Sequence, residues 1–374
     1  MKVGFHVDQL WFSAPGGIGT YVRELLAALP SADPTLELTP FHARWGRPAR
    51  SSAALGPSVV EVPGSIRTLY PRWDLTGGPP LPAALGGCDV LHATNHAAVP
   101  PAARRQALVV TVHDLAFDAF PQTFPRDWRW LYRRGVHAAA RRADVVLAPS
   151  RATADDLEDR YGVDPGRIRV TPLASSLPAT TTDVDEVLGR LGLARPYVLC
   201  PATLEARKNQ ARLVRAYRQV APEVPHSLVL AGPAGWRSGE LDAELERGGG
   251  GSVRLTGFLQ GAELDAVLRG ADLVAYPSLY EGFGLPIVEA MCRGVPVVTS
   301  TTPACAETAG DAALLVDPED VGGIADALAR VLTDRELHAS LAAKGRVRAA
   351  GFSWERTARA TLDAYRDAIA ATRS

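Results

Sequence analysis

Lysine, methionine and cysteine are scarce in this chain. Of 40 basic residues only Lys2, Lys208 and Lys344 are lysines, and 374 residues include 2 methionines and 4 cysteines. Cys88, Cys200, Cys292 and Cys305 stand far apart, with neither a CxxC pair nor metal-ligand spacing. That argues against a disulfide framework and a zinc module, and it predicts reduced, mostly structural thiols in a cytoplasmic protein. An excess of one charge is also missing: 40 basic residues face 41 acidic ones, for a net charge of −1. No overall field then steers the chain to nucleic acid, so none is expected as a partner. No run of about 18 apolar residues occurs, and no membrane span is expected. The opening MKVGFHVDQLWF lacks the apolar core of a signal peptide and reads as a first β-strand.

What is present is a well-folding composition, 47% hydrophobic and 22% charged, in a chain long enough for two domains. Short β-branched runs alternate with amphipathic segments of helix length, the pattern of parallel sheets with crossover helices. In the first half, strands are expected at 3–7, 36–42, 90–92, 109–113, 145–149 and 168–171. Helices are expected at 20–29, at 125–142 and from Ser150 onwards. A second series of strands follows at 197–202, 228–231, 253–255, 273–276, 295–299 and 313–316, with helices at 209–220, 262–269, 286–293 and 321–333. Two such series predict an α/β protein of two Rossmann-like domains facing across a cleft. The boundary is expected in the polar, turn-rich stretch Leu177–Arg195. The first domain is drawn over 1–180 with a returning C-terminal helix at 355–374, and the second over 190–354. Prolines and glycines in Pro63–Pro82 predict a surface loop or lid, and the Gly248–Gly251 tract a flexible turn.

The stretch YEGFGLPIVEA, Tyr280–Ala290, is richest in chemistry. Proline suits the start of a helix and not its interior, so a helix is expected from Pro286 with Glu281 in the loop before it. Gly282 and Gly284 allow a tight bend and a close approach to a ligand. The N–H groups from Gly284 to Ile287, Leu285 included, are expected to point outward with the positive end of the helix dipole and attract a phosphate. Glu289, placed in the first turn, accepts hydrogen bonds only and suits the paired hydroxyls of a ribose; Glu281 suits those of a sugar. The plain structural alternative, a dipole-balancing Glu289 and a solvated Glu281, stays open here. No Asp-x-Asp and no third ligand accompany the glutamates, so no metal is expected. A leaving diphosphate then needs fixed cations. Arg207 and Lys208 follow the strand at 197–202, at the strand end where open α/β sheets bind ligands; a solvated basic loop is the alternative.

From Val253 to Asp320 the chain resembles the donor-binding half of the family-4 retaining glycosyltransferases, which have the GT-B fold. The resemblance rests on EGFGLPIVE, where seven residues separate Glu281 from Glu289, on GFLQGAELDAVLRGADLVAYPS before it, and on GVPVVTS and AETAGDAALLVDPED after it. The first half is similar more loosely, through GGIGTYVRELLAAL, VVTVHDL and ADVVLAPS. The resemblance implies metal-independent α-glycosyl transfer from a nucleotide-sugar with retention of configuration. It implies that Glu289 holds the donor ribose and Glu281 the transferred sugar. Phe283 and Gly284 would present backbone groups, and Arg207 with Lys208 would stabilise the leaving diphosphate. Many members carry an arginine five residues before that lysine. Thr203 stands there, so the chain is similar to a branch in which arginine directly precedes it.

By the same resemblance, Gly16 and Gly17 form a turn facing the donor phosphates, and His113 contacts the donor sugar. On physical grounds GGIG is a common strand-to-helix turn. A neutral His113 can donate and accept a hydrogen bond, with Asp114 available to tie it down. His92 and His96 are read as structural. The arginine- and aromatic-rich segment 125–142, with Trp128, Leu131 and Tyr132 on one face, suits either domain packing or an anionic membrane surface at the inner face, with a lipid-linked acceptor. At the C-terminus Trp354, Ala358, Leu362 and Tyr365 share one helical side. The expected function is transfer of a glycosyl unit to a saccharide, lipid-linked or small-molecule acceptor by front-face attack, with Glu281 as covalent nucleophile ranked below. The HDL and FP residues around His113, Asp114 and Pro121 resemble mannosyl- and rhamnosyltransferases of bacterial polysaccharide assembly, which favours GDP-mannose as donor. A dehydrogenase would need GxGxxG after the first strand, which is missing. An inactive nucleotide-sugar binder would be expected to lose Glu281, Lys208 or the glycine turn, and all are present.

Overall fold

Alternating apolar strands and amphipathic helices fold into two separate parallel sheets. The computed structural model describes residues 1–12, 16–46, 59–178, 180–235, 239–248, 251–259 and 261–373. Two units result, one of Met1–Leu173 with Ser353–Ser374, the other of Ala174–Phe352. Gly249 and Gly250 of the expected glycine turn lie outside the described residues.

The first unit holds seven strands: β1 (Lys2–His6), β2 (Glu37–Ala43), β3 (Val60–Val62), β4 (Val90–Ala93), β5 (Ala107–Thr111), β6 (Val145–Ala148) and β7 (Ile168–Val170). Their order is β3-β2-β1-β4-β5-β6-β7. Val3 of β1 lies opposite Leu38 on one side and Val90 on the other. The second unit holds β8 (Tyr197–Pro201), β9 (Ser227–Ala231), β10 (Val253–Gly257), β11 (Leu273–Tyr276), β12 (Val297–Ser300) and β13 (Leu314–Val316), in the order β10-β9-β8-β11-β12-β13. Every residue of β4, β5, β6, β8, β11 and β12 is buried, because helices cover both sheet faces. That is why these strands read as unbroken apolar runs. In each sheet the order reverses beside the first strand, between β1 and β4 and between β8 and β11. Loops leaving such a pair diverge and open a crevice at the carboxyl ends of the strands.

Two stretches read as irregular turn out to be helical. Inside Pro63–Pro82 a helix runs from Ile66 to Thr76 with Pro71 within it, closed by Gly77 in the left-handed region at φ 65. Proline costs a helical hydrogen bond, but this helix buries Leu69, Tyr70 and Trp73, and burial of large side chains outweighs local propensity. The polar stretch 177–195 contains the helix Val184–Arg190, capped by Asp183, whose carboxylate accepts from Asp185 N–H. Residues 174–180, counted with the first domain on sequence, belong to the second unit.

The last helix, Trp354–Arg373, packs back onto the first unit and buries Ala358, Leu362 and Tyr365, while Trp354 is half-buried. Its anchor is polar. The fully buried His92 ring meets Tyr365 Oη at 2.7 Å through Nδ1 and Thr111 Oγ1 at 2.8 Å through Nε2. Burial pushes this imidazole down to about 3, so it is neutral and both contacts satisfy it. Tyr365→Phe strips one partner from a buried ring nitrogen. Chemical denaturation should show a loss of about 1–3 kcal/mol, the cost of an unsatisfied buried polar group.

Candidate active site

The turns leaving the adjacent strands β8 and β11 carry the charged residues singled out in the sequence. After β8 the chain makes a short 3₁₀ turn, Ala206–Lys208, then enters the next helix through Asn209, a non-glycine residue at positive φ (63). Asn209 holds that strained turn by donating from Nδ2 to the carbonyls of Pro277 and Pro318, at 2.9 and 2.6 Å. After β11, Leu279 N–H donates to the Arg207 carbonyl at 2.9 Å, which straps the two turns together.

Three charges meet there. Lys208 Nζ lies 2.6 Å from Glu281 Oε1, and Arg207 Nη1 lies 3.2 Å from Glu281 Oε2. Oε1 also accepts from Tyr276 Oη at 2.6 Å and from Ser278 Oγ at 2.7 Å. Arg207 is held further by Glu205, and Lys208 donates to Tyr276 Oη. Burial alone would raise the Glu281 carboxyl, but Lys208 and Arg207 outweigh it and hold it at about 2. From sequence alone Glu281 is either solvated or suited to sugar hydroxyls. Instead its side chain is 8% exposed and serves as the counter-ion of both cations, with its remaining acceptor capacity on Oε2. Tyr276 and Ser278 went unassigned on sequence; their only signal was the YPS at the end of β11.

The glycine turn is shorter than its sequence suggested. Gly284 has φ 97, and the helix runs Leu285–Cys292, with Pro286 second rather than first. Ile287 N–H already donates to the Gly284 carbonyl at 2.9 Å, and Pro286 has no N–H. That leaves the Gly284 and Leu285 N–H groups as the donors of this turn with no hydrogen bond to a described residue. The Phe283 carbonyl is taken by Thr308 Oγ1 at 2.6 Å, while its ring packs edge-on against Phe352. Glu289 falls beyond the first turn, 9% exposed, and makes no hydrogen bond to a described residue. Burial pushes its carboxyl up to about 7, and the charge of Arg293 draws it only partly back. An unpaired, nearly buried acceptor of this kind suits a ligand that brings its own donors.

In the first unit, Gly16 and Gly17 begin the helix Gly16–Ala32 after β1, so the expected turn is its first turn. His113, after β5, is buried and donates from Nε2 to the Thr94 carbonyl at 2.8 Å, which reserves Nδ1 as an acceptor. Burial lowers its pKa, partly offset by that bond and by Asp114. Asp114 does not tie the ring down; its carboxylate caps the Ala116 N–H. In the helix Arg126–Arg142, Trp128 and Tyr132 turn inward against Phe12, Phe117, Phe124 and His96. The aromatic left on the surface is Trp130, 46% exposed, under the Arg134 guanidinium. The structure thus joins Arg207, Lys208 and Glu281 directly, with Glu289 in the same unit and His113, Gly16 and Gly17 in the other.

Folding lowers the Glu281 carboxyl from its ordinary 4.5 to about 2, so it stabilises the protein fully above pH 4.5 and progressively less as pH falls towards 2. Glu281→Gln should lower the unfolding midpoint at neutral pH, and the difference from the wild type should shrink on acidification. Urea titrations at a series of pH values measure this.

Comparison with known proteins agrees with the division of the chain. The profile described as Glycosyltransferase Family 4 matches residues 15–174, and that of Glycosyl transferases group 1 matches residues 189–348. An O-antigen chain mannosyltransferase B of Escherichia coli is 33% identical over 270 residues, 70% of this chain and 71% of that protein. An MMP alpha-(1->4)-mannosyltransferase of Mycolicibacterium hassiacum is 30% identical over 377 residues, 95% of this chain and 88% of that one. Among solved structures, Anabaena HepE in complex with UDP and glucose superposes with a TM-score of 0.74 over 97% of this chain and 98% of its own, at 22% identity, a likeness of fold. With both halves matched and a 30%-identical relative covered nearly end to end, the chain belongs to glycosyltransferase family 4 and is a glycosyltransferase of GT-B fold.

Proposed function

We propose that the protein transfers an α-mannosyl unit from GDP-mannose to a saccharide acceptor, with retention of configuration and without a metal ion. The observation that carries this reading is the pairing, in the second unit, of a buried cation cluster with the unpaired acceptor Glu289. The Lys208 ammonium has three protons and spends two on Tyr276 and Glu281, so one remains for a phosphate oxygen. Gly284 and Leu285 N–H add uncharged donors for the diphosphate, and Glu289 takes the ribose diol. Glu281 acts as a positioning anion that sets the cation geometry and offers Oε2 to a sugar hydroxyl.

The acceptor attacks the anomeric carbon on the face from which the nucleoside diphosphate departs. A departing phosphate oxygen takes the acceptor proton, so no strong protein base is needed. Fixed positive charge lowers the barrier by meeting the negative charge that grows on the leaving group. Glu281 as covalent nucleophile ranks below front-face attack, because its carboxylate is held by two cations that stabilise its charge and lower its nucleophilicity. Mannosyl transfer is supported by the two mannosyltransferase relatives. UDP-glucose is the competing donor, because HepE was also solved with it.

In the first unit, His113 Nδ1 is available to a sugar hydroxyl. The half-buried Phe12 and Trp45 rings, 5.0 Å apart, with Trp45 fixed by its Nε1–H bond to Asp8, offer the aromatic lining that saccharide sites use. Peripheral contact with the inner face of the membrane through 125–142 is part of the same reading. Its support is Trp130 exposed on a helix that also carries Arg126, Arg129, Arg133 and Arg134. Among the described residues no helix is long and apolar enough to cross a membrane.

Incubation with GDP-mannose, UDP-glucose and dTDP-rhamnose, with and without EDTA, tests the donor assignment. Release of GDP from GDP-mannose, unchanged by EDTA, is expected; turnover of another donor alone, or loss of turnover on chelation, overturns the corresponding part. Lys208→Ala should lower turnover by roughly 10²–10³-fold, the scale for a lost charge-stabilising donor. Glu289 must be ionised to accept both ribose hydroxyls, so GDP affinity should rise with pH up to about 7 and then level off. Glu289→Gln should remove that dependence in calorimetric titrations, and a pH-independent wild type would contradict the role given to Glu289.

A further inference from the structure

We infer that Asp265 is a positioning residue of the donor site: it holds the Arg293 guanidinium against the Leu177 and Pro178 carbonyls and so keeps it from closing an ion pair with Glu289. This rests on the reading of Glu289 as the ribose acceptor.

Arg293 stands four residues after Glu289 and continues its helix with φ −92 and ψ −1. At that spacing the two side chains are neighbours on one helix face, and glutamate before arginine is the favourable order for pairing. They do not pair. Arg293 Nε instead donates to Asp265 Oδ1 at 2.5 Å, and Nη2 donates to the Leu177 and Pro178 carbonyls, each at 3.0 Å. Asp265 comes from a different helix, Ala262–Gly270, and its carboxylate is 0% exposed. It is satisfied on its other oxygen by Arg269 Nε at 2.8 Å and Thr180 Oγ1 at 2.7 Å. Arg269 in turn reaches the Thr182 carbonyl at 2.6 Å.

The competition is therefore between two carboxylates for one guanidinium. Asp265 wins because it is pre-assembled: two other donors already fix it, and the carbonyls of 177 and 178 complete the cradle for Arg293. An arginine placed four residues from a ligand-binding carboxylate would otherwise cover the oxygens that the ligand needs. The result is a glutamate 9% exposed whose carboxylate makes no hydrogen bond to a described residue and keeps an opening to solvent. That Glu289 stays unpaired four residues before an arginine committed elsewhere is the feature that a ligand role accounts for.

The test measures the affinities of UDP and GDP for the full-length protein by calorimetry. Asp265→Asn should weaken both by about tenfold, the scale of one charged hydrogen bond, because the released guanidinium turns to Glu289. The double variant Asp265→Asn/Arg293→Gln should recover to within about threefold of wild type, since nothing is left to cover Glu289. A purely structural role predicts the opposite, a double variant no better than the single one, and that result overturns the proposal. So does wild-type affinity in Asp265→Asn. Should Asp265→Asn fail to fold, Arg293→Gln decides: unchanged affinity supports the proposal, and a tenfold loss makes Arg293 a direct ligand contact and overturns it. Glu289→Gln separates the two levels. If it binds both nucleotides as the wild type does, the donor-site reading itself fails. If it binds weakly while Asp265→Asn binds normally, only the positioning role fails.

Discussion

A carboxylate that is almost completely buried beside two cations persists only when every acceptor and donor around it is placed, and Glu281 imposes that condition on the second domain. Its partners come from the turn after β8, from the end of β11 and from the loop beyond it. None of those segments can shift without stranding a charge in a region that water reaches poorly, where an unpaired ion is costly. The same condition explains the strained backbone at Asn209, which is held by two carbonyls rather than by propensity. Preorganised charge of this sort is what a reaction with a departing diphosphate needs, since no energy is then spent reorienting dipoles as the bond breaks.

The sheet supplies the frame for that cluster. Two parallel strands whose neighbours run away in opposite directions release their following loops to opposite faces, so a crevice is left between them. In the second unit those strands are β8 and β11, and the loops are the ones that carry Lys208 and Glu281. In the first unit they are β1 and β4, with Gly16 following one, while the Thr94 carbonyl beyond the other receives His113. Burial of the strands on both faces makes the frame rigid, and the polar residues collect where the strands end.

Glu281 and Glu289 illustrate how two acids in one motif are given different work by their surroundings. Both lie in a stretch of nine residues and both are nearly buried, yet one is held strongly ionised and the other is pushed up to about 7. The difference is the neighbouring charge. Lys208 and Arg207 converge on Glu281, whereas the cation nearest Glu289 along its helix is committed to Asp265. Environments that separate the titration of two like groups are a recurring device of catalytic sites.

Periodicity in the sequence was enough to determine that this protein has two parallel α/β sheets, because strands buried on both faces must be apolar throughout. It also marked Glu281, Glu289, Arg207 and Lys208, because a glycine-proline turn and a lysine after a strand are local signals. It did not reveal the helix at Ile66–Thr76, whose proline argues against it until Leu69, Tyr70 and Trp73 find a core to enter. Nor did it reveal that Glu281 is already occupied, that Thr94 rather than Asp114 holds His113, or that Asp265 takes Arg293 from its helical neighbour. Each of those outcomes is a choice among competing partners far apart in the chain, and only the distances created by folding decide which partner wins.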